Sequence, residues 1–474
     1  MDTEEFRKHG HELIDWIADY FGNIRDYPVK SKAGPGDVFG QLPDSPPDNP
    51  ESFDNIIDDF RDIILPGITH WQHPSFMAYF PANSSPPSVL AEMLTAAIGA
   101  QCMIWQTSPA AAELEERVML WLRDMIGLPQ EFSGVIQDTA STATLCSILT
   151  AREKKMSFTS NRKGLTDSSR FRIYCSSETH SSVDKAVRIA GLGSDNIQRI
   201  SVRDDFSMDH DHLRKTIEPD INNGYEPLCI IATLGTTSST AIDPLESIGK
   251  IAKEYGIWLH VDAALAGTAL LLAEYRWMTK GIELADTFVF NPHKWMFTNF
   301  DCSAYFVKDE SALIRTFEIL PEYLKTSEAT PVKNYRDWGI QLGRRFRALK
   351  LWFVIRSYGV NGLRTKVRHH LRLAHDLLKQ IKEHPKFEIL APVPLNLICF
   401  RYKPNGITDE AELEKINSTI LTRINDTGEL FLTHTKLNGK YAIRIITGQT
   451  NVEQQDVDNA WELVKRIAGE VISS

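Results

Sequence analysis

The sequence predicts an α/β protein with a mostly parallel central sheet, followed by a small α+β domain. Three observations predict it. Short apolar runs rich in β-branched residues recur through the middle of the chain, at 172–175, 228–234, 257–261, 287–290 and 303–307. Helical patterns lie between several of them, for example at 180–190 and 244–255. Buried-looking strands alternating with helices imply a sheet covered on both faces. Beyond a long helical stretch near 343–358 the pattern changes to a helix near 363–383, short strands at 387–390, 396–401 and 441–447, and a last helix at 452–468.

The leading elements differ from this core. Residues 4–22 place Phe6, Leu13, Ile14, Ile17, Ala18 and Phe21 on one helical face. The stretch from Pro28 to Pro50 carries too many prolines for regular structure and predicts an extended surface segment. A second amphipathic helix follows near 51–64. This segment is too short for a core of its own, so it packs on the rest of the chain or on a second subunit. The chain therefore reads as three parts: 1–85, 86–360 and 361–474.

Composition narrows the function classes. The chain has 474 residues, more than one ordinary core accommodates. Its net charge of -10 argues against a general nucleic-acid binder. The longest apolar stretches, such as Ala263 to Ala273, are too short to span a membrane, and the N-terminus lacks a signal-peptide apolar core. The six cysteines are scattered without a C-x-x-C pair, which supports neither a zinc site nor a disulfide framework. A cytoplasmic protein without metal is the expectation.

In sheets of this kind ligands sit beyond the carboxyl ends of the strands. That rule selects Ser176–His180, Gly235–Thr237, Asp262–Ala264 and Asn291–Lys294. Singly, each has an ordinary structural explanation: a solvated loop lysine, an aspartate ending a strand, a helix-capping histidine. Gln137–Thr142 before an apolar helix is equally an N-cap. Together they match one cofactor, pyridoxal 5'-phosphate. It needs a lysine to form a Schiff base with its aldehyde and a carboxylate on its pyridine nitrogen. It also needs a flat group against the ring and a helix N-terminus with hydroxyls for its phosphate. Lys294, Asp262, His180 and Thr139-Ala140-Ser141 supply these in turn. A lysine in the apolar company of TFVFNPHKWMFTNF is costly to keep as a free cation, and a covalent partner removes that cost.

These residues stand within longer motifs: HPSFMAYFP (73–81), SPAAAELE (108–115), HSSVDKA (180–186), ATLGTT (232–237), VDAALAG (261–267), NPHKW (291–295) and LGRRFRALKLW (342–352). Through them nearly the whole chain resembles the aromatic L-amino-acid decarboxylases, the group II pyridoxal-phosphate decarboxylases. The resemblance implies the fold-type I aminotransferase architecture, a homodimer with shared active sites, and decarboxylation of an aromatic amino acid such as tryptophan, 5-hydroxytryptophan, dopa or tyrosine. It implies Lys294 as the Schiff-base lysine, Asp262 as the pyridinium partner and His180 stacked on the ring near the substrate carboxylate. Ala140, Ser141, Asn291 and His293 would hold the phosphate; Thr237 and Ala264 would line the cofactor. Tyr323, in the polar stretch 320–331, matches the family's lid tyrosine, the proton donor that directs the reaction to an amine. Phenylalanine there goes with aldehyde synthases instead.

For the substrate, the resemblance implies a wall of Trp71, Tyr79 and Phe80. Gly343 matches a position where glycine leaves room for an indole and serine favours a phenol or imidazole. Ala82 stands where relatives have threonine, and Met103 where an aromatic often closes the pocket. Rival functions are a group II decarboxylase acting on glutamate, cysteine sulfinate or histidine, an aromatic aldehyde synthase, and a non-catalytic binder. An acidic substrate would want a dedicated pocket arginine, and none is placed by the sequence.

Overall fold

Strand β5 (Trp258–Asp262) is the middle of a seven-stranded sheet, and its last residue is the aspartate singled out above. The other strands are β1 (Ser133–Gln137), β2 (Phe171–Ser176), β3 (Ile197–Ile200), β4 (Glu226–Thr233), β6 (Thr287–Phe290) and β7 (Ser303–Val307), in the spatial order β1-β7-β6-β5-β4-β2-β3. Neighbours from β6 to β3 run parallel, while β7 is antiparallel to both β6 and β1. The computed structural model describes residues 1–165, 170–319 and 332–473.

The strands are buried along their length, so their sequences read as continuous apolar runs rather than alternating ones. On one face, Leu145, Ile148, Val183 and Val187 pack against Ile173, Cys175, Cys229 and Ile231. A second cluster joins Val135, Ala143 and Cys146 to Val289, Tyr305, Leu313 and Trp338. The strands expected from the apolar runs are present within two residues. Strands β1 and β3 were not expected. β1 opens on Ser-Gly, and β3 has only four residues and a polar middle at the sheet edge, so neither carries a long β-branched run. The long helix Arg347–Glu383 is broken at Gly359, whose φ of 63° leaves the helical region.

The chain divides into two compact units, one of Met1–Pro81, Asp376–Glu388 and Phe400–Ser474, the other of Ala82–His375 and Ile389–Cys399. The large sheet lies in the second. The first joins the N-terminal segment to the C-terminal part, where the sequence had suggested separate segments 1–85 and 361–474. The reason is physical. Helix Thr3–Gly22, capped by Asp2, has no fully buried residue. The segment instead contributes Val29, Phe76 and Ala78 to a small cluster closed by Phe431, and Val29 N–H donates to the Gly428 carbonyl at 2.9 Å. A second sheet has the order β10-β11-β9-β8, with β8 Phe387–Ile389, β9 Leu397–Tyr402, β10 Thr433–Leu437 and β11 Lys440–Ile446.

Candidate active site

Strand register brings the chemistry together. Thr233 ends β4 opposite Asp262, and Asp262 lies opposite Val289 of β6. The chain leaves these strands into three adjoining loops, stitched by the main chain. Leu234 N–H donates to the Asp262 carbonyl (2.8 Å), Ala263 N–H to Val289 (2.9 Å) and Asn291 N–H to Ala264 (3.0 Å). Gly235 turns at φ +81°, with only 3.0 Å between an added Cβ and Ala266 Cβ, so glycine is required there. Asp243, fully buried, pins the neck of this loop by accepting from Thr233 N–H and Met208 N–H, both at 2.7 Å.

Lys294 sits in the short turn Pro292–Trp295, which Asn291 begins. It is half-buried, and burial lowers its pKa from the usual ammonium value, partly opposed by the Asp262 carboxylate. Asp262 is 6% exposed, and its Oδ1 accepts from Ala264 N–H at 3.0 Å. His180 follows β2; its pKa is lowered by burial and by the Lys294 cation, while Asp262 raises it. Amine, imidazole and carboxylate therefore feel one another's charge.

The flanking residues are held from behind. His293 is buried, its Nδ1 accepts from Cys302 N–H at 2.8 Å, and burial, with the adjacent Lys294 cation, pushes its pKa down to about 3. The Asn291 side chain accepts from Ser303 Oγ at 2.5 Å. Ala140 and Ser141 are the first two residues of helix Ala140–Lys155, where Thr139 caps Thr142 N–H at 3.4 Å. That leaves first-turn N–H groups and the positive end of a 16-residue helix for an anion. Thr237 lies half-buried in the loop after Gly235.

Two further groups of residues were expected around a substrate. Met103 and Gly343 lie on adjoining segments: Cys102 N–H donates to the Arg344 carbonyl at 3.0 Å, and Arg336 N–H donates to the Met103 carbonyl at 2.9 Å. Ala82 precedes Asn83, whose N–H donates to the Lys294 carbonyl at 3.3 Å. Trp71, Tyr79 and Phe80 lie in the other unit. There the Trp71 and Tyr79 rings stack at 5.7 Å and Arg444 stands 5.8 Å from the Phe80 ring. Tyr323 lies outside the described residues. Asn83, Asp243 and Ser303 were missed by the sequence reading. Only Asn83, beside the motif at 73–81, carried a local signal.

This donor set fits pyridoxal 5'-phosphate. A low-basicity amine faces a buried carboxylate and an imidazole, and a helix N-terminus with Ser141 offers a phosphate cradle. The fold and site thus define an α/β enzyme of pyridoxal chemistry.

Comparison with known proteins reaches the same class. The model for the pyridoxal-dependent decarboxylase conserved domain matches residues 35–403, and the chain belongs to that family. It is 42% identical to phenylacetaldehyde synthase of Arabidopsis thaliana, across 99% of this chain and 96% of the relative. It is also 42% identical to tyrosine decarboxylase 4 of Petroselinum crispum, across 98% and 93% respectively. The crystal structure of Catharanthus roseus tryptophan decarboxylase in complex with L-tryptophan superposes with a TM-score of 0.94 at 38% identity, covering 99% of both chains. The protein is a carboxy-lyase, its cofactor is pyridoxal 5'-phosphate, and its fold is that of the fold-type I decarboxylases.

Proposed function

We propose that this protein decarboxylates aromatic L-amino acids, of the tryptophan, 5-hydroxytryptophan, dopa and tyrosine type, to the amine and carbon dioxide. The observation that carries the proposal is the shared electrostatics of Lys294, Asp262 and His180 at the strand ends, in a chain whose full-length relatives include tyrosine and tryptophan decarboxylases.

When bound, pyridoxal 5'-phosphate supplies an electron sink for the bond broken at the substrate's Cα. The chain supplies the rest. Lowered basicity leaves Lys294 more readily neutral, as a nucleophilic amine must be. Asp262 would pair with the ring nitrogen and keep a proton there, which makes the ring a better electron sink. His180, biased to its neutral form, offers a flat face. The Ala140–Ser141 helix start binds phosphate. Tyr323 delivers the proton to Cα, giving the amine rather than an aldehyde.

A homodimer in the cytoplasm is part of the proposal. Helix Pro86–Ile98 presents Leu90, Met93, Leu94 and Ile98 to solvent, each at least 42% exposed, an apolar face suited to a second copy. All six cysteines are buried and unbridged, in keeping with a reducing compartment.

The test is turnover of a panel of tryptophan, 5-hydroxytryptophan, dopa, tyrosine, phenylalanine, histidine and glutamate, following carbon dioxide, amine and hydrogen peroxide. Amine and carbon dioxide from the aromatic members are expected. Turnover of glutamate or histidine alone would refute the substrate class. Stoichiometric peroxide would favour an aldehyde synthase, the activity named for the Arabidopsis relative.

A further inference from the structure

The phosphate cradle carries a charge that it does not need. Helix Ala140–Lys155 begins after the N-cap Thr139, and the residue just ahead of the cap is Asp138, half-buried. Its carboxylate is turned back onto the helix start. Oδ1 accepts from Thr139 N–H at 2.6 Å, and Oδ2 accepts from Gln341 Nε2–H at 3.1 Å. One oxygen is thus held by the cap residue and the other from the segment that follows Trp338. The charge itself is left uncompensated. Arg347 feels it, but the Arg347 guanidinium pairs with Asp301 at 2.9 and 3.1 Å. Among the described residues Asp138 has no ion-pair partner. From Thr139 N to Ala140 N is at most one residue step, about 3.8 Å. An anion accepted by the Ala140 N–H therefore lies within about 10 Å of the carboxylate, one Debye length at roughly 0.1 M salt.

A carboxylate ahead of a helix is ordinarily favourable, because it meets the positive end of the dipole. That account of Asp138 holds while no second anion shares the helix start. The cofactor's phosphate needs the same field and the first-turn N–H groups beside it. We propose that Asp138 is a built-in antagonist of the cofactor phosphate: its carboxylate shares the positive field of the helix start and repels a phosphate placed there, so the protein holds pyridoxal 5'-phosphate loosely and exchanges it with the free pool. This rests on the reading in which Ala140 and Ser141 bind that phosphate. The repulsion acts on the phosphate end. Lys294 and Asp262 stand on other elements, the turn Pro292–Trp295 and the end of β5, and serve the aldehyde and the ring nitrogen. A ligand with the ring and aldehyde but no phosphate is therefore indifferent to Asp138.

The experiment titrates the full chain, freed of cofactor, with pyridoxal 5'-phosphate and separately with pyridoxal, following the visible absorbance of each. Asp138→Asn is compared with the wild type, since asparagine keeps an acceptor for Thr139 N–H and loses the charge. It should bind pyridoxal 5'-phosphate roughly three- to thirtyfold more tightly, the range for anions about 10 Å apart at dielectric constants between water and a protein surface. Release on dilution should slow, and pyridoxal affinity should stay the same. The gain should shrink as salt is raised, because screening shortens the reach of the charge. Glu462→Gln removes an equal charge from an exposed position on the last helix and should change neither affinity. Unchanged or weaker phosphate-cofactor binding in Asp138→Asn would overturn the role of Asp138 while leaving the cofactor assignment intact. So would an equal gain for pyridoxal or in Glu462→Gln. Failure of the wild type to bind pyridoxal 5'-phosphate at all would overturn both.

Discussion

Gly267→Ala gives a sharp test of how the site is braced. Gly267 lies in the short helix Ala266–Leu271, just after the Asp262 loop, and donates its N–H to the Ala263 carbonyl at 2.8 Å. An added Cβ would stand 2.2 Å from Phe290 Cβ and 2.7 Å from its Cγ. Non-bonded carbons settle at about 3.5–4.0 Å, so the two segments must part by roughly 1.5 Å. Phe290 is fully buried and cannot step aside. It immediately precedes Asn291, so the strain falls on the 3.0 Å bond from Asn291 N–H to Ala264 and on the placement of Lys294 against Asp262. Overpacking of this kind costs about 1–3 kcal/mol, or a fall in melting temperature of about 2–4 °C per kcal/mol in a large domain. Gly469→Ala is the control: it lies within helix Gln454–Ser473, where a Cβ meets nothing within 4 Å among the described residues. It should gain roughly 0.5–1 kcal/mol. Differential scanning fluorimetry and cofactor titration read both. The reasoning is refuted if Gly267→Ala melts with the wild type and binds pyridoxal phosphate with unchanged affinity.

Other outcomes follow from buried charge. Burial pushes the pKa of His260 down to about 4 and that of His370, which accepts from Trp295 Nε1–H at 2.9 Å, down to about 3. Unfolding lets each titrate near 6.5, so between about pH 4 and 6.5 the unfolded chain binds more protons and stability falls as pH falls. Each contributes about 1.4 kcal/mol per pH unit well inside that window. His370→Asn, which retains an acceptor, should reduce the slope by that amount in denaturant melts at several pH values; an unaltered slope would mean His370 is not buried neutral. Glu115→Ala strands the buried Arg344 guanidinium and removes the acceptor of Ile136 N–H at 2.9 Å. It should cost about 3–5 kcal/mol, and a loss under 1 kcal/mol in urea unfolding would contradict the buried pairing.

Much of the fold was legible because strands buried on both faces leave unbroken apolar runs, as in Leu228–Thr233 and Thr287–Phe290. Lys294 and Asp262 stood out for the same reason, each ending or following such a run. What could not be read depends on partners distant in sequence. β1 exists through its antiparallel pairing with β7, and Asp243 matters through the backbone N–H of Met208 and Thr233. Asn83 reaches Lys294 through a backbone bond that no side-chain pattern announces.

The central claim is that the Lys294 amine, beside Asp262, carries the cofactor. Borohydride reduction of the purified holoenzyme, followed by peptide mass mapping, tests it most directly. The account predicts a phosphopyridoxyl group on the peptide containing Lys294, and loss of the cofactor's visible absorbance in Lys294→Ala. A label on any other lysine, or an undiminished spectrum in that variant, would contradict it.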